Sequence, residues 1–158
     1  VEAQATDEVR RLEHDLLGRG PGTESIAAIR EDMQATMEEA AGIFRTGSAI
    51  AKGADTLAEL QERVGNVGLA DTSRSYNTEL LAALELANML DISECILQAG
   101  MQREESRGAH QRTDFPDRDD DRFLVHQLVR RDADGAPQVE QLAVTITRWP
   151  PGERVYGR

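Results

Sequence analysis

The run NTELLAALELANMLDISECILQAGM, residues 77–101, decides the fold. Leu80, Leu81, Leu84, Leu86, Met89, Leu90, Ile92, Ile96, Leu97 and Met101 fall on more than one side of a helix of 3.6-residue period. A helix apolar nearly all round has neighbours nearly all round. The spacing predicts the longest helix of the chain, from Asn77 and Thr78 to about Ser106. Glu85 lies inside this run with Asn88 three residues on. Either Glu85 sits on a solvent stripe, or it enters a packed interface where it needs a partner such as an arginine.

Upstream of this helix, the apolar period predicts three more. Val9, Leu12 and Leu16 mark a short one over residues 2–17, stopped by Gly18-Arg19-Gly20-Pro21-Gly22. A second follows Thr23 as N-cap and stripes Ile26, Ile29, Met33, Met37, Ala40 and Phe44. The third, over residues 50–67, carries Leu57, Leu60, Val64 and Val67 inward and Glu59, Glu62 and Arg63 outward. Three long amphipathic helices with short connections make an antiparallel, spectrin-repeat-like bundle the economical packing. The extra N-terminal helix then docks on its end or side.

After Phe115-Pro116 the period becomes two. Leu142, Val144 and Ile146 alternate with Ala143, Thr145 and Thr147, residues 123–131 offer a partner strand, and residues 132–137 have turn composition. A hairpin of two strands is marginal alone, so it must lie against the bundle or another domain. The expected organisation is a mainly α chain: a bundle domain over residues 1–106, then an irregular segment, hairpin and Pro-rich tail over residues 107–158. No internal repeat is visible.

Composition narrows the function. The 158 residues carry 18 basic and 29 acidic side chains, a net charge of −11, which argues against a general nucleic-acid binder. Lys52 is the only lysine, so the basic side chains are nearly all arginines suited to forked pairing with carboxylates. The lone Cys95 rules out an intrachain disulfide or thiolate zinc site and suits a reducing compartment. No apolar run reaches the ~18 residues of a membrane span, and there is no signal-peptide pattern, so the chain itself is expected to be soluble. Starting at Val1 within a helix sets the expectation of a piece of something longer.

Chemistry concentrates in residues 103–123, REESRGAHQRTDFPDRDDDRF, with five arginines and seven acids. Asp117, Asp119 and Asp121 open like a calcium loop, but Arg122 stands where its glycine belongs and Leu128 where its glutamate belongs. His110, Asp114 and His126 make a poor metal set beside so many arginines. Gly18 to Gly22 follow a helix, whereas a dinucleotide loop follows a strand. A solvated charged loop is the default for so polar a run, and a joint is the reading set against it. Arg103, Arg107, Arg112 and Arg118 alternate with Asp114 and Asp119 closely enough for forked ion pairs that fix orientation, His110 lies among them, and Gly108 suits the left-handed residue closing a helix. With Glu85, these are the interface candidates.

Tyr76-Asn77-Thr78-Glu79-Leu80, Leu84-Glu85-Leu86, Arg103 to Arg112, and Arg118-Asp119-Asp120 with Phe123 and His126 resemble the carboxy-terminal region of the flavoprotein subunit of fumarate reductase and succinate dehydrogenase. Residues 37–46 and 57–63, Arg131 to Gly135, Pro150-Pro151 and Arg154-Val155-Tyr156-Gly157 resemble the fumarate reductase branch, whereas residues 113–120 are closer to succinate dehydrogenase. The resemblance implies a parent subunit that holds FAD and passes electrons through an iron-sulfur subunit to or from quinone at membrane anchors, on the cytoplasmic side of the inner membrane. It implies for this chain no catalytic, FAD-binding or metal-ligating residue, and a role in docking on the parent's flavin and capping domains and on the iron-sulfur subunit. The alternatives are the succinate dehydrogenase counterpart and a stand-alone helical interaction module.

Overall fold

A computed structural model describes residues 2–152. The calls on Val1 and on Arg154, Val155, Tyr156 and Gly157 lie outside the described residues. In chain order the elements are α1 (Glu2–Arg11) with a π-helical turn (Leu12–Leu17), α2 (Ile26–Ala41), β1 (Phe44–Arg45), α3 (Gly47–Val64), α4 (Thr78–Gln102), β2 (Gln111–Arg112), α5 (Asp120–Phe123), β3 (Val125–Arg131) and β4 (Pro137–Ala143).

The bundle is built from α2, α3 and α4, as the period predicts. Its core is Ile29, Met33 and Ala40 of α2, Ile50, Leu57 and Leu60 of α3, and Leu86, Leu90 and Leu97 of α4, with Val67 at one end. Each helix opens on a polar cap: Ser25 accepts from the Ala28 amide, Thr46 from Ala49 and Asn77 from Leu80. The α2 cap is Ser25 and not Thr23, because the helix begins at Ile26; the Thr23 amide donates instead to the Asn66 carbonyl at 3.1 Å. That contact puts the start of α2 beside the end of α3, so the two run antiparallel.

Glycine permits two close crossings. A methyl group on Gly53 would stand 2.5 Å from Ala40 Cβ and 3.2 Å from Leu97 Cδ1, so α3 meets both neighbours through a position where alanine would suit an isolated helix better. A Cβ on Gly22 would stand 2.3 Å from the Gly68 amide nitrogen, and one on Gly68 would stand 2.1 Å from the Gly20 carbonyl oxygen. The glycine loop is therefore a backbone crossing between the chain entering α2 and the chain leaving α3.

No residue of α1 is buried. Its contiguous turn is held at the end of the bundle by Glu13–Arg74 at 2.9 Å, and Arg19 donates to the Gly65 carbonyl.

Three boundaries differ from expectation. The long helix stops at Gln102 and not near Ser106, since Arg103 turns extended and the last carbonyls pass to a distant side chain described below. Gly108 is left-handed at φ +61, but it forms the tight turn that pairs Arg107 with His110, beyond the helix end. In the hairpin, Val125 pairs with Ala143 and Arg131 with Pro137, so residues beyond Ala143 have no partner on β3, which begins only after α5. The alternation from Leu142 to Ile146 thus lies mostly past the strand, and Leu142 and Ile146 stay half-exposed. The turn is as expected, with Asp132 accepting from the Asp134 and Ala136 amides at 3.0 and 2.8 Å and Gly135 at φ +85. Arg131 fastens the hairpin to α4 through Asp91 at 2.7 Å and Glu94 at 3.1 Å.

Candidate functional site

The end of α4, the turn that follows, β2 and α5 converge on two buried ionic centres. The first is Glu105, fully buried. Its carboxylate accepts from Arg103 Nη1, from Arg107 Nε at 2.8 Å and Nη2 at 2.9 Å, and from the Asp119 amide at 2.9 Å. Desolvation pushes this carboxyl up, but the bonds from Arg107, the Asp119 amide and Arg103 outweigh it and hold the group below its ordinary value. Arg107 continues to Asp120 at 2.6 Å, which Arg118 grips from the other side. Held by Arg118 and Arg107, the Asp120 carboxyl is lowered to about 2. Arg103 also donates to the Phe123 and Val125 carbonyls at 2.9 and 2.8 Å, tying the bundle to the root of the hairpin.

The second centre is Arg112, only 2% exposed. Its Nη1 reaches the carbonyls of Gly100, Met101 and Arg103 at 3.1, 3.3 and 3.2 Å, where the α4 dipole leaves negative charge unsatisfied. Nε and Nη2 fork onto Asp114 at 2.7 and 2.9 Å, and the face stacks on Phe115 at 4.9 Å. Asp114 in turn accepts the Gly47 amide at 2.8 Å, the first residue of α3. One ion pair therefore caps the negative end of α4 and the positive end of α3 together. Arg112 holds the Asp114 carboxyl well below the usual carboxylate range.

His110 joins the centres to β1. Its Nδ1 lies 2.9 Å from Arg45 Nη1 and its Nε2 lies 3.1 Å from the Arg103 carbonyl oxygen. Arg45 has only donors and the carbonyl only accepts, so the contacts select a neutral ring with its proton on Nε2. Burial lowers the pKa of His110 below 6.5, and Arg45, Arg112 and Arg103 lower it further against the bond to the Arg103 carbonyl. The unfolded chain therefore takes up this proton first as pH falls below 6.5, so the stabilisation is complete above that value and shrinks as pH drops towards the folded pKa. His110→Gln is expected to flatten the decline of Tm as pH falls below about 6.5. An unchanged slope in a pH series of thermal melts would refute this role.

Seven of the eight residues singled out by sequence therefore meet here. Asp119 contributes its amide to Glu105 and caps α5 by accepting from the Arg122 amide at 3.0 Å, and Arg118 pairs with Asp120. Glu85 is elsewhere, more than half exposed, with Arg30 at 3.8 Å. Sequence reading missed Glu105 as a centre, although it lies between Arg103 and Arg107. It also missed Arg45 and Gly47, which carry no local signal because their partners are 65 and 67 positions away. Among the described residues, no group of three or more histidine, cysteine, aspartate and glutamate side chains is placed to share a metal ion. Chemically, then, the site clamps: its acids and bases are occupied by one another.

A family model described as fumarate reductase flavoprotein C-term matches residues 30–156. The fumarate reductase flavoprotein subunit of Mycobacterium tuberculosis (strain ATCC 25618 / H37Rv) is 58% identical over 158 residues, which are 100% of this chain and 27% of that protein. That of Escherichia coli (strain K12) is 48% identical over 99% of this chain and 26% of its own length. The succinate dehydrogenase flavoprotein subunit of Rickettsia bellii (strain RML369-C) is 35% identical over 90% of this chain and 25% of its own. A solved E. coli quinol fumarate reductase chain superposes with a TM-score of 0.90 at 46% identity, covering 99% of this chain and 27% of that one. The chain spans about a quarter of the length of the relatives it matches. The identities favour fumarate reductase over succinate dehydrogenase, and the match reaches from within α2 past the hairpin: the chain belongs to the fumarate reductase flavoprotein C-terminal family.

Proposed function

We propose that the chain is the C-terminal domain of the FAD-carrying subunit of a fumarate reductase, and that its own work is to hold orientation and dock partners. The parent reaction is interconversion of fumarate and succinate, coupled to quinone through an iron-sulfur subunit and membrane anchors. The partners of this domain are then the parent's flavin and capping domains and the iron-sulfur subunit, on the cytoplasmic side of the inner membrane. Among the described residues, no helix is long and apolar enough to cross a membrane.

The observation that carries this reading is the saturation of the joint. Glu105 accepts four hydrogen bonds and Arg112 is engaged on every nitrogen, which leaves neither free to move a proton or clamp a dicarboxylate. The residues present do not fit FAD either. The glycine loop follows a helix, whereas a pyrophosphate loop follows a strand, and glycine at positions 22 and 68 serves the crossing of two backbone segments.

The test is a chimera in which this chain replaces the matched quarter of the M. tuberculosis subunit. It is expected to retain flavin and reduce fumarate with an artificial electron donor, while this chain alone binds no flavin. Arg107→Ala in the chimera is expected to lower the yield of assembled subunit about fivefold, with KM for fumarate within roughly twofold of the parent. Normal assembly with a selectively raised KM would overturn the docking role.

A further inference from the structure

The long helix has two faces. Ala83, Leu86, Leu90 and Leu97 line the core at 7% exposure or less. About two-fifths of a turn away, Leu81, Glu85, Asn88, Ile92 and Ile96 follow one another at three- or four-residue steps and so form one stripe. Leu81 is 55%, Ile92 60% and Ile96 42% exposed. Beyond Ile96 the stripe enters a groove of about 490 Å³ between α2 and α4, lined also by Met33, Met37, Gly42 and Arg45. Between the lining residues Gly42 and Arg45 the chain carries Ile43 and Phe44, 64% and 72% exposed. Large aliphatic side chains in such a row are the composition of an interface.

Arg30 of α2 lies beside this stripe. Nε and Nη2 of Arg30 are buried yet find no acceptor among the described residues. Glu85, on the stripe, is 3.8 Å from Nη2, too far for a hydrogen bond. Both atoms are closed to solvent within the chain, and Glu85 faces them as an ionic partner.

We propose that this face seats the larger, preceding part of the flavoprotein-subunit polypeptide, which covers Leu81, Ile92 and Ile96 with apolar surface. The inference rests on the reading above and names the surface it uses. In the M. tuberculosis and E. coli relatives the matched region is 27% and 26% of the protein, so the occupant is tethered to it at high effective concentration. A second copy is the poorer occupant, since each brings a charge of −11 and a Glu85 within the stripe.

Hydroxyl-radical footprinting of this chain alone and of the chimera tests it. Labelling of Leu81, Ile92 and Ile96 is expected to fall about tenfold in the chimera, as for side chains passing from surface to core. Ile92→Asp in the chimera is expected to restore labelling at Ile96. A chimera that holds flavin and reduces fumarate while all three stay as reactive as in the isolated chain overturns this inference and leaves the parent reading standing. A chimera that folds but neither binds flavin nor turns over removes the parent reading and the inference with it. Concentration-dependent dimerisation of the isolated chain, abolished by Ile92→Asp, assigns the face to a second copy and overturns the proposal.

Discussion

Arg112→Ala is expected to lower the stability of the chain by about 3–5 kcal/mol, because it takes the donor from the carbonyls at the end of α4 and the forked partner from Asp114 in the same step. Asp114 would lose its forked partner, and the carbonyls of Gly100, Met101 and Arg103 would lose their shared donor. Urea unfolding followed by circular dichroism measures the effect, since Trp149 is 78% exposed and reports poorly on the core. Arg112→Lys should recover only part of the loss: an ammonium keeps the charge but cannot fork onto Asp114 and reach the helix end together. A change below about 1 kcal/mol in the alanine variant would place Arg112 among ordinary surface contacts and refute the shared-cap argument.

Glu105→Ala is expected to cost a similar amount, again about 3–5 kcal/mol, but with a different distribution. Arg107 would keep only Asp120, whereas Arg103 would keep the Phe123 and Val125 carbonyls. The loss should therefore fall on the connection between α4, α5 and the hairpin. In hydrogen exchange, β3 and β4 amides should open well before those of Leu86 and Leu90. Uniform acceleration across the bundle would count against a local role. Because Glu105, Asp114 and Asp120 are all held below their ordinary values, their contribution is present above about pH 4 and is lost as pH falls through the folded values, about 2 for Asp120. The acid limb of the wild-type stability curve should shrink in Glu105→Ala.

What the sequence disclosed and what it hid follow one physical division. Periodicity is a local signal, so the helix begun at Asn77, the core positions Ile29, Leu57, Leu86 and Leu97, and the Asp132–Gly135 turn could all be read from neighbours within a turn or two. The end of α4 could not be, because its terminator is the guanidinium of Arg112, met only after the chain has turned back. Helix propensity continues through Arg103 to Ser106, and tertiary contact overrides it. For the second strand the side-chain alternation was real, but pairing is set by where β3 starts, and α5 delays that start to Val125. At the joint, residue types gave the chemistry, and Arg107 and Arg112 each fork onto a carboxylate. Composition could not say which carboxylate lies at the centre, since Glu104 and Glu105 are adjacent and alike, yet only Glu105 is buried.

The short parallel ladder of β1 with β2 sets an order on folding. Phe44 pairs with Gln111 and Arg45 with Arg112, and the Thr113 amide donates to the Arg45 carbonyl at 2.9 Å, so strand pairing, the His110 contact and the Asp114 cap all bridge the same long loop. The entropy of closing that loop is met only when α3 and α4 are already side by side. α2 and α3, joined by a connection of a few residues, can associate first, whereas the arginine joint can close only after synthesis has passed Asp120. The joint is thus the latch of the assembly pathway as well as its hinge pin: a nascent chain lacking residues 103–123 would present a paired α2–α3 with the helix-end charges of α3 still open, a state that chaperones and proteases can distinguish from the finished domain.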